Sequence, residues 1–173
     1  LSGIATWTAR FVEQVKETGV ALRDTRKTIP GLRQLSKQAV CAGGAENHRL
    51  GLWDQFLVKD NHIAAAGSIT TALENIKKHN PKQLKIQIEV RNLSEAEEAL
   101  QGGADSLLLD NMSFQGAATI AEQLRDQIEL EVSGNVTLDN VGRWAETGVH
   151  AISIGALTHS APAVDIAMTI EKN

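Results

Sequence analysis

Short apolar stretches alternate with helical patterns along the whole chain, and this alternation constrains the fold more than any other feature. Extended segments are predicted at 20–25, 55–59, 85–90, 106–109, 128–132 and 149–154. Helical patterns lie between them, at 4–15, 32–38, 68–78, 94–100, 115–124 and 137–147. Such alternation is typical of βα units, which build a parallel sheet.

Several local details refine this pattern. Ser2 is expected to cap the first helix, and Ser94 with Glu97 has the spacing of a capping box. A further short strand is expected at 39–41. Six or seven βα units favour an incomplete parallel (β/α) barrel. An open doubly wound sheet stays an alternative, although its glycine fingerprint after the first strand is missing. Residues 1–173 are interpreted as one domain.

Composition excludes several partners. The net charge of −4, without a basic run, argues against nucleic acid, and three Trp, three Phe and no Tyr are too few for a base-stacking surface. No apolar run approaches the roughly 20 residues that span a bilayer. The single cysteine, Cys41, suits a reducing compartment, so we expect a cytoplasmic protein with Cys41 as a small buried hydrophobe. The chain has neither an initiating Met nor a signal-peptide pattern, which suggests a piece of a longer protein.

Polar residues are sorted by type at the predicted strand ends. Cations follow the early strands, carboxylates the middle strands, and small residues the last two. In that order they are Thr25, Arg26, Lys27, Lys59, Glu89, Asp110, Ser133, Gly134, Asn135 and Gly155. Active sites of parallel α/β barrels form at the carboxyl ends of the strands. The sorting therefore predicts a site for a small polyanion.

The two carboxylates have more than one interpretation. Glu89 and Asp110 could each cap the following loop or pair with a cation. Two carboxylates on neighbouring strand ends also suit Mg²⁺, which takes one or two carboxylates and leaves room for substrate oxygens. Because phosphate substrates bring Mg²⁺ with them, the adjacent cations favour the second interpretation.

Three loops complete the candidate site. The turns at 133–135 and 155–159 can present backbone N–H groups to phosphate, although each could be an ordinary tight turn. The glycine-rich loop 43–49 could be a flexible surface loop, but His48 and Arg49 also supply donors for a carboxylate.

Seven segments follow one another in a recognisable order: Leu-Ser-Gly-Ile-Ala-Thr (1–6), Asp-Thr-Arg-Lys-Thr-Ile-Pro-Gly-Leu-Arg (24–33), Gly-Gly-Ala-Glu-Asn-His-Arg (43–49), Val-Lys-Asp-Asn-His-Ile (58–63), Leu-Asp-Asn-Met (109–112), Glu-Val-Ser-Gly-Asn-Val (131–136) and Ser-Ile-Gly-Ala-Leu-Thr-His (153–159). With them the chain resembles the C-terminal, barrel-forming part of quinolinate phosphoribosyltransferase, also called nicotinate-nucleotide pyrophosphorylase (carboxylating). The resemblance implies conversion of quinolinate and phosphoribosyl pyrophosphate to nicotinate mononucleotide, pyrophosphate and CO₂, in de novo NAD synthesis.

The resemblance also implies roles for individual residues. Thr25, Arg26, His48, Arg49 and Lys59 would bind quinolinate. The phosphoribosyl pyrophosphate would contact Lys27, Glu89, Asp110, Ser133, Gly134, Asn135, Gly155 and His159. Lys27, Lys59, Glu89 and Asp110 would be catalytic, with Mg²⁺ held by Glu89 and Asp110. The family also implies a homodimer or higher homo-oligomer.

The chain departs from the family pattern at a few points. Gln87 stands where a second Glu often precedes Glu89, and His150 replaces a common Asp; both are expected to tune rather than abolish activity. The family's N-terminal α/β domain is not in this sequence, so the chain by itself is expected to be weakly active or inactive. A related phosphoribosyltransferase from another pathway and a non-catalytic barrel that binds phosphorylated ligands stay as alternatives.

Overall fold

A computed structural model describes residues 1–171 as strands and helices that alternate around one sheet, with two consecutive helices between the second and third strands. The strands are β1 (Ala21–Arg23), β2 (Phe56–Val58), β3 (Ile86–Val90), β4 (Ser106–Asp110), β5 (Glu129–Ser133) and β6 (Ala151–Ser153). The helices are α1 (Ser2–Val15), α2 (Arg33–Ala42), α3 (Asp60–Ala66), α4 (Ile69–Lys78), α5 (Leu93–Gln101), α6 (Phe114–Leu124), α7 (Val141–Ala145) and α8 (Ala156–His159). The predicted α/β class is confirmed.

All six strands are parallel, in the order β1-β6-β5-β4-β3-β2. Within residues 1–171, no strand pairing joins β1 to β2, so the sheet stays open there. An extended segment at Glu46 partly fills the opening, since Glu46 N–H donates to Leu22 O (2.8 Å) and Glu46 O accepts from Asp24 N–H (3.2 Å). The architecture is that of an incomplete α/β barrel, as predicted.

Alternate residues of each strand face opposite sides of the sheet. One set, which includes Ile88, Leu109, Leu130 and Ile152, belongs to the buried apolar core with the helices. The other set is largely polar and includes Gln87, Glu89, Asp110, Glu131 and Ser133. The strands therefore bury apolar side chains on the helix side and leave polar groups for the inside of the barrel.

Several local predictions are wrong. Residues 39–41 lie in helix α2, and Cys41 on that helix is exposed rather than buried. Ser2 and Ser94 lie inside helices α1 and α5, which begin after Leu1 and Asn92. Asn92 accepts the N–H of Glu95 and so takes the capping role. A serine just inside a helix has the same local sequence pattern as a serine that caps it. A short apolar run such as 39–41 fits a strand or a helix equally well.

One helix is missing from the prediction, and another is shorter than predicted. Helix α3 (Asp60–Ala66) was not predicted, and it begins directly at the end of β2. Helix α7 covers only Val141–Ala145 of the predicted span 137–147. Thr137 and Asn140 form a turn before it, because Thr137 N–H donates to Asn140 Oδ1 (2.8 Å). Helix α8 (Ala156–His159) lies within the predicted turn 155–159, and the remaining helices and strands agree with prediction to within a few residues.

Truncation of Leu109, which is fully buried in β4, is expected to destabilise the fold. We expect Leu109→Ala to lower the free energy of unfolding by about 2–5 kcal/mol, because apolar contacts are lost and a cavity remains. Leu52→Ala is the matched control, since Leu52 is 66 % exposed and its truncation should change little. Urea denaturation measures both; equal effects of the two substitutions would contradict the assignment of the core.

Candidate active site

A cavity of about 630 Å³ opens at the carboxyl ends of the strands. Every residue that the sequence analysis assigned to a site lines it: Thr25, Arg26, Lys27, His48, Arg49, Lys59, Glu89, Asp110, Ser133, Gly134, Asn135, Gly155 and His159. The side chains of Leu57 and Leu108 and the carboxylate of Glu131 also line it. The strand ends thus bring together residues that lie more than a hundred positions apart in the sequence.

The segment after β1 presents Thr25, Arg26 and Lys27 to the cavity. Its backbone is held by hydrogen bonds from other side chains, since Thr158 Oγ1 donates to Lys27 O (2.7 Å) and Arg33 Nη2 donates to Arg26 O (3.2 Å). The Arg26 Nε atom is buried and has no hydrogen-bond partner within residues 1–171. The segment is therefore fixed in place while its cations keep unused donors.

Arg49 lies close enough to Arg26 for the two charges to interact. Burial lowers the pKa of the Arg49 guanidinium and the positive charge of Arg26 lowers it further, while the carboxylates of Asp54 and Glu89 act in the opposite direction. Two guanidinium groups that repel each other in a part-buried cavity are stabilised by an anion between them. This electrostatic arrangement suits a carboxylate or phosphate ligand.

The two candidate metal ligands lie on neighbouring strands β3 and β4. Glu89 forms an ion pair with Lys59, whose side chain is about half exposed at the cavity. Asp110 accepts Ser133 Oγ at 2.5 Å and Asn111 Nδ2 at 2.8 Å. No group of three His, Cys, Asp or Glu side chains suited to a metal occurs within residues 1–171. The donor set fits Mg²⁺ held by two carboxylates and completed by water and substrate oxygens, and not a cation that needs a full protein cage.

The turn after β5 depends on backbone conformations that favour glycine. Gly134 has φ +98°, and a Cβ there would lie 2.3 Å from Asn111 Oδ1. A Cβ on Gly155 would lie 2.9 Å from His159 Nε2. The N–H groups of Gly134, Asn135 and Gly155 donate no hydrogen bond within the described part of the chain. The turn after β5 and the turn after β6 therefore each leave backbone N–H groups available to an anion.

Sequence reasoning did not find the polar network beneath the cavity. Glu131 is fully buried and accepts hydrogen bonds from Arg23 Nη1 (2.7 Å) and Gln87 Nε2 (3.1 Å), as well as from Ser153 Oγ. Burial by itself would lower the pKa of Arg23, but the carboxylates of Glu131 and Glu129 outweigh it and raise that pKa. The alternation of polar residues at every second strand position was the sequence pattern that could have identified this network.

A buried ion pair anchors the loop that carries His48 and Arg49. Lys37 Nζ on α2 donates to Asp24 Oδ1 (2.5 Å) and to His48 O (2.7 Å). The same Asp24 oxygen accepts His48 N–H at 2.9 Å. Burial raises the pKa of Asp24, against the opposing effect of Lys37. With its amide nitrogen turned towards them, Asn47 also donates to Asp24 Oδ2 (2.7 Å) and Lys37 O (3.0 Å).

The loop beyond Arg49 is closed by Asp54, and this predicts a pH dependence. Asp54 accepts the N–H groups of Leu50 (2.6 Å) and Gly51 (3.0 Å). Slight burial acts in the opposite direction, but these hydrogen bonds lower the pKa of Asp54. The unfolded-state value is about 3.9. The loop is therefore stabilised above that pH, and the stabilisation is lost as the pH falls through the lower folded-state pKa.

Amide hydrogen exchange measures this effect directly. Protection of the Leu50 and Gly51 amides should fall as the pH is lowered below about 4, while core amides such as that of Leu109 stay protected. In Asp54→Ala both loop amides should be unprotected throughout. Loop protection that does not change with pH in the original protein would contradict the role of Asp54.

These features define a class of protein: an incomplete parallel α/β barrel whose strand ends line a cavity with both cationic and carboxylate side chains. Residues 4–169 match the family described as "Quinolinate phosphoribosyl transferase, C-terminal domain". The chain belongs to this family, as its sequence motifs predicted.

Named relatives agree with this membership. The chain is 46 % identical, over 100 % of its own length, to a probable nicotinate-nucleotide pyrophosphorylase [carboxylating] of Synechocystis sp.. It is 43 % identical, over 98 % of its length, to the nicotinate-nucleotide pyrophosphorylase [carboxylating] of Mycobacterium leprae. It covers 60 % and 61 % of those two proteins, so it spans about three fifths of the relatives it matches.

Solved structures show the same fold. The crystal structure of NadC from Streptococcus pyogenes superposes with a TM-score of 0.92 at 38 % identity, over 96 % of this chain and 59 % of that chain. The nicotinate-nucleotide pyrophosphorylase from Francisella tularensis gives 0.91 at 41 % identity, over 94 % and 58 %. The incomplete barrel is therefore the architecture that this chain shares with its relatives.

Proposed function

We propose that this chain is the catalytic barrel of a quinolinate phosphoribosyltransferase, which makes nicotinate mononucleotide, pyrophosphate and CO₂ from quinolinate and phosphoribosyl pyrophosphate. The observation that carries the proposal is the single cavity shared by Arg26, Arg49, Lys59 and the turns after β5 and β6. It offers cations for a dicarboxylate on one side and backbone donors for a phosphate on the other. The names of the relatives support the same reaction.

Quinolinate is proposed to bind at the cationic side of the cavity. Arg26 and Arg49 both line it there, and a pyridine dicarboxylate would offset the repulsion between their charges. Lys59 and Thr25 line the same region, and Leu57 and Leu108 supply apolar surface for the ring. A cavity of about 630 Å³ has room for this ligand beside a second substrate.

Phosphoribosyl pyrophosphate is proposed to bind across the opposite side. Its 5′-phosphate would accept the free N–H groups of Gly134, Asn135 and Gly155, with Ser133 and His159 at the rim. Lys27 would face the pyrophosphate. Glu89 and Asp110 would hold Mg²⁺ and the ribose hydroxyls; the bound ion would neutralise charge on the leaving pyrophosphate.

The mechanism requires no protein nucleophile. Lys27 and Lys59 place positive charge where pyrophosphate leaves C1′, and Arg26 and Arg49 orient the pyridine nitrogen towards that carbon. Once the nitrogen is quaternised, its positive charge stabilises the electron pair that the departing CO₂ leaves on the adjacent ring carbon, and that carbon then takes a proton from water. The side chains therefore contribute through positioning and electrostatic stabilisation.

The two alternatives make different use of the cavity. A non-catalytic barrel that binds phosphorylated ligands would need only the turns after β5 and β6, and it leaves Arg26, Arg49 and Lys59 without a ligand. A related phosphoribosyltransferase would bind phosphoribosyl pyrophosphate in the same way, but a different anionic substrate would bind at the cationic side chains. The paired guanidinium groups favour a substrate with more than one carboxylate.

Assembly and compartment also belong to the proposal. Leu52 and Trp53, on the loop beyond Arg49, are both about two-thirds exposed, which suits contact with a second subunit of a homodimer or larger homo-oligomer. Within residues 1–171, no helix has the length and apolar character needed to cross a bilayer. A cytoplasmic location is proposed from the enzyme class and the single cysteine.

Thermal denaturation with different ligands tests the function. Quinolinate should raise the midpoint of unfolding, whereas nicotinate, which has one carboxylate fewer, should raise it far less. Phosphoribosyl pyrophosphate should stabilise the protein in the presence of Mg²⁺, and EDTA should weaken that effect without altering the effect of quinolinate. No shift with either pyridine ligand would contradict the proposed function.

A further inference from the structure

We propose that Arg33 is a positioning residue: its guanidinium joins the segment that carries Arg26 to the loop that carries Arg49, and so sets how these two cations face the dicarboxylate substrate. The inference rests on the proposed function, in which Arg26 and Arg49 bind quinolinate. Arg33 itself lies outside the set of residues that line the cavity, so it acts on the ligand through the two residues that do.

Each nitrogen of the Arg33 guanidinium donates to a different acceptor. Nη2 donates to Arg26 O (3.2 Å) and Nε donates to Thr28 Oγ1 (3.3 Å), both on the segment after β1. Nη1 donates to Leu50 O (3.4 Å), on the loop that carries Arg49. These bonds are long, and it is their number on one rigid group that joins the two segments. The guanidinium therefore holds the main chain of Arg26 itself and of the residue next to Arg49.

Other contacts leave this task to Arg33. The buried Asp24–Lys37 pair joins the two segments at their base, through the main chain of His48. Farther along, each segment is held separately: Thr158 Oγ1 donates to Lys27 O (2.7 Å), and Leu50 N–H donates to Asp54 (2.6 Å). At that level, beside the cations, Arg33 is the side chain that bonds to both segments.

Helix stability does not account for an arginine at this position. Arg33 is the first residue of α2, where the helix dipole disfavours positive charge. The first turn of α2 contains no acidic residue, and within residues 1–171 no carboxylate forms an ion pair with Arg33. The charge thus lies where it destabilises the helix, and the three hydrogen bonds to the two segments offset that effect.

Two substitutions separate the shape of the group from its charge. A guanidinium reaches three acceptors at once because its donors lie in one plane on a rigid fork. Lysine at position 33 keeps the charge, but its ammonium is a single point on a flexible stem and cannot reproduce that geometry. Methionine removes both properties. Arg33→Lys and Arg33→Met should therefore behave alike if Arg33 acts by joining the segments, and differently if it only attracts an anion.

Calorimetric titration tests the positioning role. Both variants should bind quinolinate roughly tenfold more weakly, about the effect of one lost hydrogen bond. Phosphoribosyl pyrophosphate with Mg²⁺ should stay within about threefold of its original affinity, because Thr158 still holds Lys27. Recovery of quinolinate affinity in Arg33→Lys would show an effect of charge alone and would overturn the inference. An equal loss for both substrates would overturn it as well.

A double-mutant cycle with Arg26 provides a readout that a merely structural role would not move. Because Arg33 acts through Arg26, Arg33→Lys should weaken quinolinate binding by no more than about threefold once Arg26 is replaced by alanine. Arg10→Lys is the matched control, since Arg10 lies over the Trp7 ring on α1, and it should change nothing in either background. Additive effects of the Arg33 and Arg26 substitutions would contradict the positioning role.

Amide hydrogen exchange tests the link without any ligand. Thr28 N–H donates to Arg26 O (3.0 Å) and Leu50 N–H closes the other loop, so each amide reports on one of the two segments. Arg33→Lys should lower the protection of both amides, while protection of the core amide of Leu109 shows that the variant folds. Unchanged protection on either segment would overturn the inference. If the original protein binds no quinolinate, the proposed function fails, whereas the link between the segments stands or falls with the exchange data.

Discussion

Replacement of Lys37 by methionine is expected to destabilise the protein by about 3–5 kcal/mol, the range found when one partner of a buried ion pair is removed. Lys37 is almost fully buried, and Asp24, its partner, is completely so. Without Lys37 the carboxylate of Asp24 stays buried with only neutral donors. Chemical denaturation measures the loss in the free energy of unfolding.

The double variant Asp24→Asn with Lys37→Met is the matched control. It removes both charges and keeps an acceptor for the His48 N–H, so most of the lost stability should return. The recovery identifies uncompensated charge, rather than lost packing of the lysine stem, as the cause. A double variant that is as unstable as the sum of its single substitutions would contradict this explanation.

Replacement of Arg26 by alanine is expected to weaken quinolinate binding by roughly thirtyfold or more, since truncating one member of a buried charge pair costs about 2–5 kcal/mol. The fold should stay intact, because the Arg26 Nε atom makes no hydrogen bond within residues 1–171. Its removal also relieves the repulsion with Arg49. Equilibrium dialysis with labelled quinolinate measures the change.

Arg10→Ala is the control for this experiment. Arg10 lies over the Trp7 ring on α1, outside the cavity, so its loss removes the same charge without touching the site. Lys59→Ala should resemble Arg26→Ala and not Arg10→Ala, because Lys59 lines the cavity. Unchanged affinity in Arg26→Ala would show that the ligand binds elsewhere.

The sequence predicted the sheet well because each strand and helix has its own periodicity. Strand β4, with three consecutive leucines before Asp110, could be placed from its residues alone. Helix α3 could not, since Asp60–Ala66 is short and contains no buried residue that would give it an apolar face. Cys41 was misplaced for a related reason: burial depends on which side of α2 faces the barrel, and one cysteine carries no periodicity.

The candidate site, like the fold, could be predicted from the sequence only in part. Residues that end strands, such as Arg26 and Glu89, could be assigned to one cavity because parallel strands end at one edge. Partners across the barrel could not, since nothing local links Gln87 to His48 or Lys37 to Asp24. The sequence thus predicts which side chains line the cavity, whereas the structure shows which of them pair: Lys59 pairs with Glu89, and both ring nitrogens of His48 have partners.

The ratio of the affinities for quinolinate and nicotinate, measured by calorimetric titration of this chain, tests the central claim most directly. The two ligands differ by the carboxylate that the paired guanidinium groups of Arg26 and Arg49 are proposed to bind. We predict one quinolinate per chain and an affinity for nicotinate at least roughly tenfold weaker, because a charge-assisted contact contributes more than 1.4 kcal/mol. Equal affinities, or no binding of quinolinate, would contradict the account.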